Sequence, residues 1–266
     1  MRKLSVVQIL AVLYCISITS MVSARTISFS GYTWSVKSST SAVGPGPNYF
    51  SGDVSSVWSD SSGLHMTISS TGGHWQCTEV FLPSSLGYGN YFLHTQGRFD
   101  TMDKNIVAGF FTYQSDTQEL DIEFSRWGNV STPDCGFSVQ APSPPGIFNH
   151  KFSMTQSSTN QDLTLLLNWS YHTAIMSVYY GYQTWGNLSA SDLVGTYTFA
   201  NQYVPLPGGE KFRINFWLYT GAAPSNGLGA EFLVTDFAFY SAVPVELSDF
   251  SASEGINNEK DLPKYP

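Results

Sequence analysis

The sequence predicts an all-β chain of the sandwich type, and three observations carry that prediction. Aromatic residues make up 15% of the 266 positions, and Ser and Thr are abundant, which is the composition of pleated, half-buried surfaces. Gly and Pro, 23 and 13 in number, punctuate the chain and leave runs of strand length between them. The clearest periodicity, over residues 118–124, is two rather than 3.6. The length suits one domain, and no internal repeat stands out.

Residues 1–24 join Arg2 and Lys3 to an apolar run over 4–18 and end in Val22-Ser23-Ala24, the pattern of a cleaved secretory signal. That run is too short to favour a membrane span, and no later stretch approaches it. The expectation is a secreted, soluble monomer. Loss of Arg2 and Lys3 takes the formal charge from −8 to −10, and an acidic chain without a basic run argues against nucleic-acid and anionic-membrane partners. The domain is expected over 25–243, with strands at 27–36, 63–69, 75–82, 91–100, 107–113, 119–124, 163–169, 175–181, 212–219 and 232–240. The segment Gly44-Pro45-Gly46-Pro47-Asn48 reads as a tight, rigid loop. Only 189–194, which begins Ser-x-x-Asp, offers a helical start, for a turn or two.

Cys15 leaves with the signal, so Cys77 and Cys135 are the one pair open to a disulfide in an oxidising compartment. Neither has the spacing of a zinc site. The five histidines stand singly and read as surface or core residues. Sequons fall at Asn129, Asn168 and Asn187. Over 244–266 the strand pattern gives way to Glu, Asp, Asn, Ser and Lys, as in a disordered tail. That tail has neither the apolar run of a lipid-anchor signal nor a retention tetrapeptide.

The chemistry concentrates in Gln118-Glu119-Leu120-Asp121-Ile122-Glu123-Phe124. As a strand, this stretch turns Glu119, Asp121 and Glu123 to one face and Leu120, Ile122 and Phe124 to the other. Charged residues are only 12% of the chain, so three acids on one strand face require a reason. One reason is protection of an edge strand by a solvated acidic face. The other is glycoside hydrolysis, which places two carboxyls about 5 to 5.5 Å apart in retaining enzymes. Glu119 and Glu123 have Cα atoms roughly 13 Å apart along a strand and approach that separation by leaning together. Asp121, between them, holds a proton or hydrogen-bonds a neighbour. Like charges this close raise at least one pKa, so the strand generates its own acid and base.

The run Glu119-Leu120-Asp121-Ile122-Glu123 resembles the Glu-x-Asp-x-Glu signature of glycoside hydrolase family 16, the group of lichenases, laminarinases and xyloglucan transglycosylases. It is similar to the regular-strand form of lichenases rather than the bulged form. The resemblance spans about 29–240 and implies a concanavalin A-like jelly roll whose concave sheet forms a sugar cleft. It implies that Glu119 is the nucleophile, Glu123 the general acid/base and Asp121 the assisting carboxylate. It also gives sugar-binding roles to Asn48 at a cleft-edge loop, to Glu79 and to Tyr113. Phe81 replaces the basic residue that follows Glu79 in the family pattern, and Thr117-Gln118 departs from the residues usual before the first Glu. Asn215-Phe216-Trp217 is similar to the Asn-x-Trp strand that faces the carboxylates. Of Phe110 and Phe111, which alternate, one belongs to the core and one to the cleft. Trp127 either stacks on a sugar or packs against a neighbouring loop. Lichenases tie the strand segment of Cys77 to an earlier cysteine near Gly52, and this chain has none there.

The resemblance further implies a structural calcium ion away from the carboxylates, held by Gly31 O, Gly63 O and Asp236, with waters completing a shell of six to eight oxygens. No cofactor is expected for catalysis. The expected activity is retaining endo-hydrolysis of a β-1,3 or mixed β-1,3/1,4 glucan. The alternatives are a cell-wall transglycosylase and a polysaccharide-binding protein without turnover.

Overall fold

Alternation of apolar and polar side chains, interrupted by turns, becomes sixteen strands in a computed structural model that describes residues 25–242. The signal and tail read from the sequence lie outside the described residues. In chain order the strands are β1 (Thr26–Phe29), β2 (Tyr32–Val36), β3 (Tyr49–Phe50), β4 (Val57–Asp60), β5 (Gly63–Thr71), β6 (His74–Phe81), β7 (Gly89–Gln96) and β8 (Ile106–Ser115). They continue as β9 (Gln118–Ser125), β10 (Cys135–Pro142), β11 (Pro145–Phe152), β12 (Asp162–Ser170), β13 (Thr173–Tyr180), β14 (Leu193–Ala200), β15 (Lys211–Leu218) and β16 (Ala230–Ser241).

The strands form a jelly-roll sandwich. One sheet has the order β11-β10-β9-β8-β15-β6, with β2 and β1 beyond β6; the other runs β5-β16-β7-β12-β13-β14, with β4 beside β5. Strands β5 and β6 join the two. Their hairpin closes on Gly72 and Gly73, both at positive φ (64° and 83°), which the tight two-residue turn requires and which only Gly adopts freely. All strand pairs are antiparallel except β3 with β6.

The core lies between the sheets. Leu120, Ile122 and Phe124 of β9 are buried in it, and Phe124 stacks on Phe99 at 4.4 Å. At the other end the fully buried Trp34 packs edge-on against Phe212 and Phe237. This burial fixes the register of β9: a slip of one residue would turn three acids into the core.

Each of the ten expected runs contributes a strand, with local differences. The first is split into β1 and β2 by a turn at Ser30 and Gly31, at φ 49° and 77°. The run over 91–100 ends at Gln96 and gives way to a 3-10 turn at Phe99–Thr101. The helical start at Ser189 yields one 3-10 turn, Ala190–Asp192, without a side-chain cap, and the chain then extends into β14. Strands β10 and β11, unforeseen in the sequence, carry the sheet past the acids. Strand β11 also meets the far edge of the second sheet, where Phe148 stacks on Tyr203 at 4.2 Å and His150 on Tyr197 at 4.3 Å.

Candidate active site

Strand pairing places the acids in three parallel rows across the outer face of the first sheet. Glu119 lies between Tyr113 of β8 and Gln140 of β10, Asp121 between Phe111 and Ser138, and Glu123 between Gly109 and Gly136. The rows extend to Lys211, Arg213 and Asn215 on β15, and to Ile147, Asn149 and Lys151 on β11. Around the acids is a cleft of about 670 Å³ that also reaches Glu79, Trp127 and Trp217. That volume lies within the usual range of ligand-binding clefts.

Two neighbours orient the acids. Ser138 Oγ donates to Asp121 Oδ2 at 2.8 Å, and Gln140 Nε2 donates to Glu119 Oε2 at 2.7 Å. Glu119 and Asp121 are close enough to share a proton. Burial is the largest cause holding all three carboxyls above the ordinary carboxylate range; the charge of Asp121 adds to it for Glu119 and Glu123, while Lys151 opposes it at Glu123. Because the carboxyls are this close, loss of a proton from one makes loss from its neighbour harder.

On the far side of the cleft Glu79 is buried between Lys37 (2.8 Å) and Arg213 (2.6 Å). Its two oxygens are engaged by these cations, so it fixes their positions. Tyr113 donates its hydroxyl to Asp116 at 2.8 Å. Trp127 packs edge-on against Trp217 and Tyr219 and also lines the cleft. Phe110 is the core member of its pair and Phe111 the cleft member. Among the described residues Asn215 Oδ1 and the Trp217 indole NH are buried without a hydrogen-bond partner. A buried, unpaired polar atom on a cleft wall is costly unless a ligand satisfies it.

The structure thus brings together Glu119, Asp121, Glu123, Glu79, Tyr113, Trp127, Asn215 and Trp217. Asn48 does not join them. It is 3% exposed; its Nδ2 donates to Pro45 O (2.8 Å) and Leu218 O (2.9 Å), and its Oδ1 accepts from the Cys77 thiol. With its amide nitrogen spent on the backbone and its oxygen on the Cys77 thiol, Asn48 fastens the loop, and Gly44 and Pro45 reach the cleft instead. Cys77 and Cys135 are both buried and free. Sequence reasoning missed Ser138, Gln140, Asn149 and Lys151 because it missed β10 and β11. The alternation Phe137-Ser138-Val139-Gln140-Ala141 was the signal available for the first of these strands.

The residues expected to hold calcium already make other contacts. Asp236 Oδ1 accepts from the Ser30 hydroxyl at 2.7 Å and from the Phe237 NH at 2.8 Å, while Oδ2 meets only the Tyr182 hydroxyl, at 3.5 Å. Gly63 is pressed against the Val234 carbonyl, and Gly31 lies on the turn after Ser30. One carboxylate already capped by donors is a poor start for a shell of six to eight oxygens.

No family model matches the chain, and no curated protein does. Its fold matches solved structures. A Bacillus licheniformis β-glucanase is 18% identical, with a TM-score of 0.59 over 82% of this chain and 98% of the other. A β-1,3-1,4-glucanase (lichenase) from a mouse hindgut metagenome is 16% identical, with a TM-score of 0.57 over 79% and 93%. A Mycobacterium tuberculosis protein described as a pseudo β-1,3-glucanase is 15% identical, with a TM-score of 0.58 over 79% and 91%. The chain therefore has the fold of β-glucanases and is similar in architecture to glycoside hydrolase family 16 proteins.

Proposed function

We propose that this protein is a secreted, retaining endo-β-glucanase acting on β-1,3 or mixed β-1,3/1,4 linkages. The observation that carries the reading is the single strand that presents three carboxyls to the middle of an open cleft, on a fold otherwise seen in β-glucanases. Glu119 attacks the anomeric carbon while Glu123 gives its proton to the departing glycosidic oxygen, so one C–O bond forms as another breaks. Water then attacks the glycosyl-enzyme bond, Glu123 takes a proton from it, and Glu119 leaves as a carboxylate. Attack requires the proton shared by Glu119 and Asp121 to move to Asp121 as substrate binds, against the Ser138 hydroxyl, whose donation to Asp121 Oδ2 favours the ionised form. Burial raises Glu123, which suits a group that must be protonated before the first step. The unpaired Asn215 oxygen and Trp217 NH are the sugar contacts, and the Trp127 ring is a stacking surface.

A binding protein without turnover is the second reading, supported by the neighbour described as a pseudo β-1,3-glucanase. One experiment separates the two. Lichenan, laminarin, xyloglucan and an agar-type galactan are each incubated with the protein and scored for reducing ends and oligosaccharides. Release from lichenan or laminarin, with the β-anomer appearing first by NMR, supports the enzyme. Tight binding with no new reducing ends on any polymer rejects it in favour of the binding protein. Appearance of the α-anomer first rejects the retaining mechanism. Secretion predicts a mature N-terminus at Arg25, read by sequencing the protein exported from a eukaryotic or bacterial host.

A further inference from the structure

The row through Glu123 is built differently from its neighbours. Glu119 and Asp121 have side chains on both flanks, whereas Glu123 has Gly109 on one side and Gly136 on the other. The two gaps are used from further out along the same row. Asn215 leans over Gly109, where an added Cβ would collide with its Oδ1. Lys151 leans over Gly136, where the nearest atom to an added Cβ is Lys151 Cγ at 3.8 Å. Its ammonium lies 5.8 Å from the centre of the Trp127 ring.

Lys151 also differs from the other cations that line this cleft. Lys37 and Arg213 are both bound to Glu79. Among the described residues Lys151 makes no ion pair within 4.0 Å, yet only a glycine separates it from Glu123 in the row. We propose that Lys151, reaching across the gap at Gly136, is a positioning residue that sets the pH at which Glu123 loses its proton, and with it the alkaline limit of catalysis. This rests on the reading of Glu123 as the general acid.

The electrostatic surroundings of Glu123 support the assignment. On its own strand Asp121 and Glu119 oppose its ionisation. Strand β10 contributes only Gly136, Ser138 and Gln140, none of them charged. Strand β8 and its turn place Tyr113 and Asp116 at the far row. From β15 and β6, Arg213 and Glu79 neutralise each other together with Lys37, and Lys211 lies over Phe81. Lys151 on β11 is left as the charge that favours the carboxylate, against burial and Asp121. Lys151 is exposed, so its influence passes partly through water and is screened by salt.

The test compares Lys151→Met, Lys151→Arg and Gly136→Leu with the unaltered protein. Gly136 is not at positive φ and a Cβ there makes only ordinary contacts, so the leucine is designed to occupy the gap and crowd Lys151 without straining the backbone. Two quantities are read: the alkaline limb of kcat/KM, and the carboxyl ¹³C titration of Glu123, assigned by its loss in Glu123→Gln. Lys151→Met and Gly136→Leu should move both upward by about half a pH unit, and Lys151→Arg should leave both in place. Molar salt should move the unaltered protein the same way and leave Lys151→Met nearly still. An unmoved Glu123 titration in folded Lys151→Met overturns the proposal, as does a shift in Lys151→Arg equal to that in Lys151→Met. If the unaltered protein cleaves no glucan but the titration still moves, the coupling of Lys151 to Glu123 stands and the assigned reaction falls.

Discussion

Glu119 and Glu123 differ in chemistry although they share a strand, a face and a residue type. Gln140 holds Glu119 by a 2.7 Å hydrogen bond, while Glu123 has glycine on both flanks and stays accessible to a leaving oxygen. Replacing either by Gln removes an ionisable group without changing volume. Glu119→Gln and Glu123→Gln should therefore each lower kcat roughly a thousandfold or more, with an unchanged melting temperature and nearly unchanged binding of oligosaccharide by calorimetry. Azide should restore turnover to Glu119→Ala, where a small anion fits the vacated space, and not to a Gln variant. Activity in either Gln variant within tenfold of the unaltered protein would remove that residue from the mechanism.

At the scale of elements, the second sheet has its own pH dependence through β4, β5 and β16. His65 of β5 stacks on Trp58 at 4.4 Å and lies between Asp60 (3.2 Å) and Glu231 (2.7 Å). Burial works against its charge, but the hydrogen bond to Glu231 and the ion pair with Asp60 outweigh it, and its pKa is raised. A raised histidine stabilises the fold fully below its unfolded pKa, and that contribution is lost as pH rises through the folded value. The carboxylates are about half exposed, so solvent screening keeps the effect small. Glu231→Gln should lower the melting temperature at about pH 5.5 and leave it nearly unchanged at about pH 8.5. An equal loss at both pH values would show that the contact acts by packing alone. The β10 and β11 hairpin is the element with most functional consequence, since it orients Glu119 and Asp121 and carries Lys151.

For the whole molecule, stability rests on the aromatic core between the sheets and on the side-chain contacts that tie the chain ends to it. Ser30, at the first turn, bonds Asp236 in the middle of β16, 206 residues away. That contact occupies one of the two oxygens of the residue assigned to calcium from the sequence. Millimolar calcium added after chelation should therefore leave the melting temperature unchanged, and Asp236→Ala should be destabilised equally with and without the ion. A rise with calcium that Asp236→Ala abolishes would restore the ion, because a ligand bound only to the folded state stabilises it by mass action.

The sequence by itself determined the sandwich class, the strand character of 118–124 and the split of its side chains between core and cleft. These follow from a period of two, which is local and survives without knowledge of any partner strand. Asn215, Trp217 and Glu79 were singled out only by resemblance to a family pattern. Tertiary structure alone decided what each polar atom does. Asn48 turned out to fasten a loop, and Asp236 to accept two hydrogen bonds, because partners such as Leu218 and Ser30 come from 170 and 206 residues away. Strands β10 and β11 escaped the reading because Gly136, Pro142, Pro144, Pro145 and Gly146 break the pattern, and because β11 is mostly exposed and has little apolar alternation to show. Pairing of those strands against β9 then put two glycines beside Glu123 and a lysine beyond one of them. Sequence spacing does not encode that juxtaposition, since register across a sheet is set by which faces must be buried together.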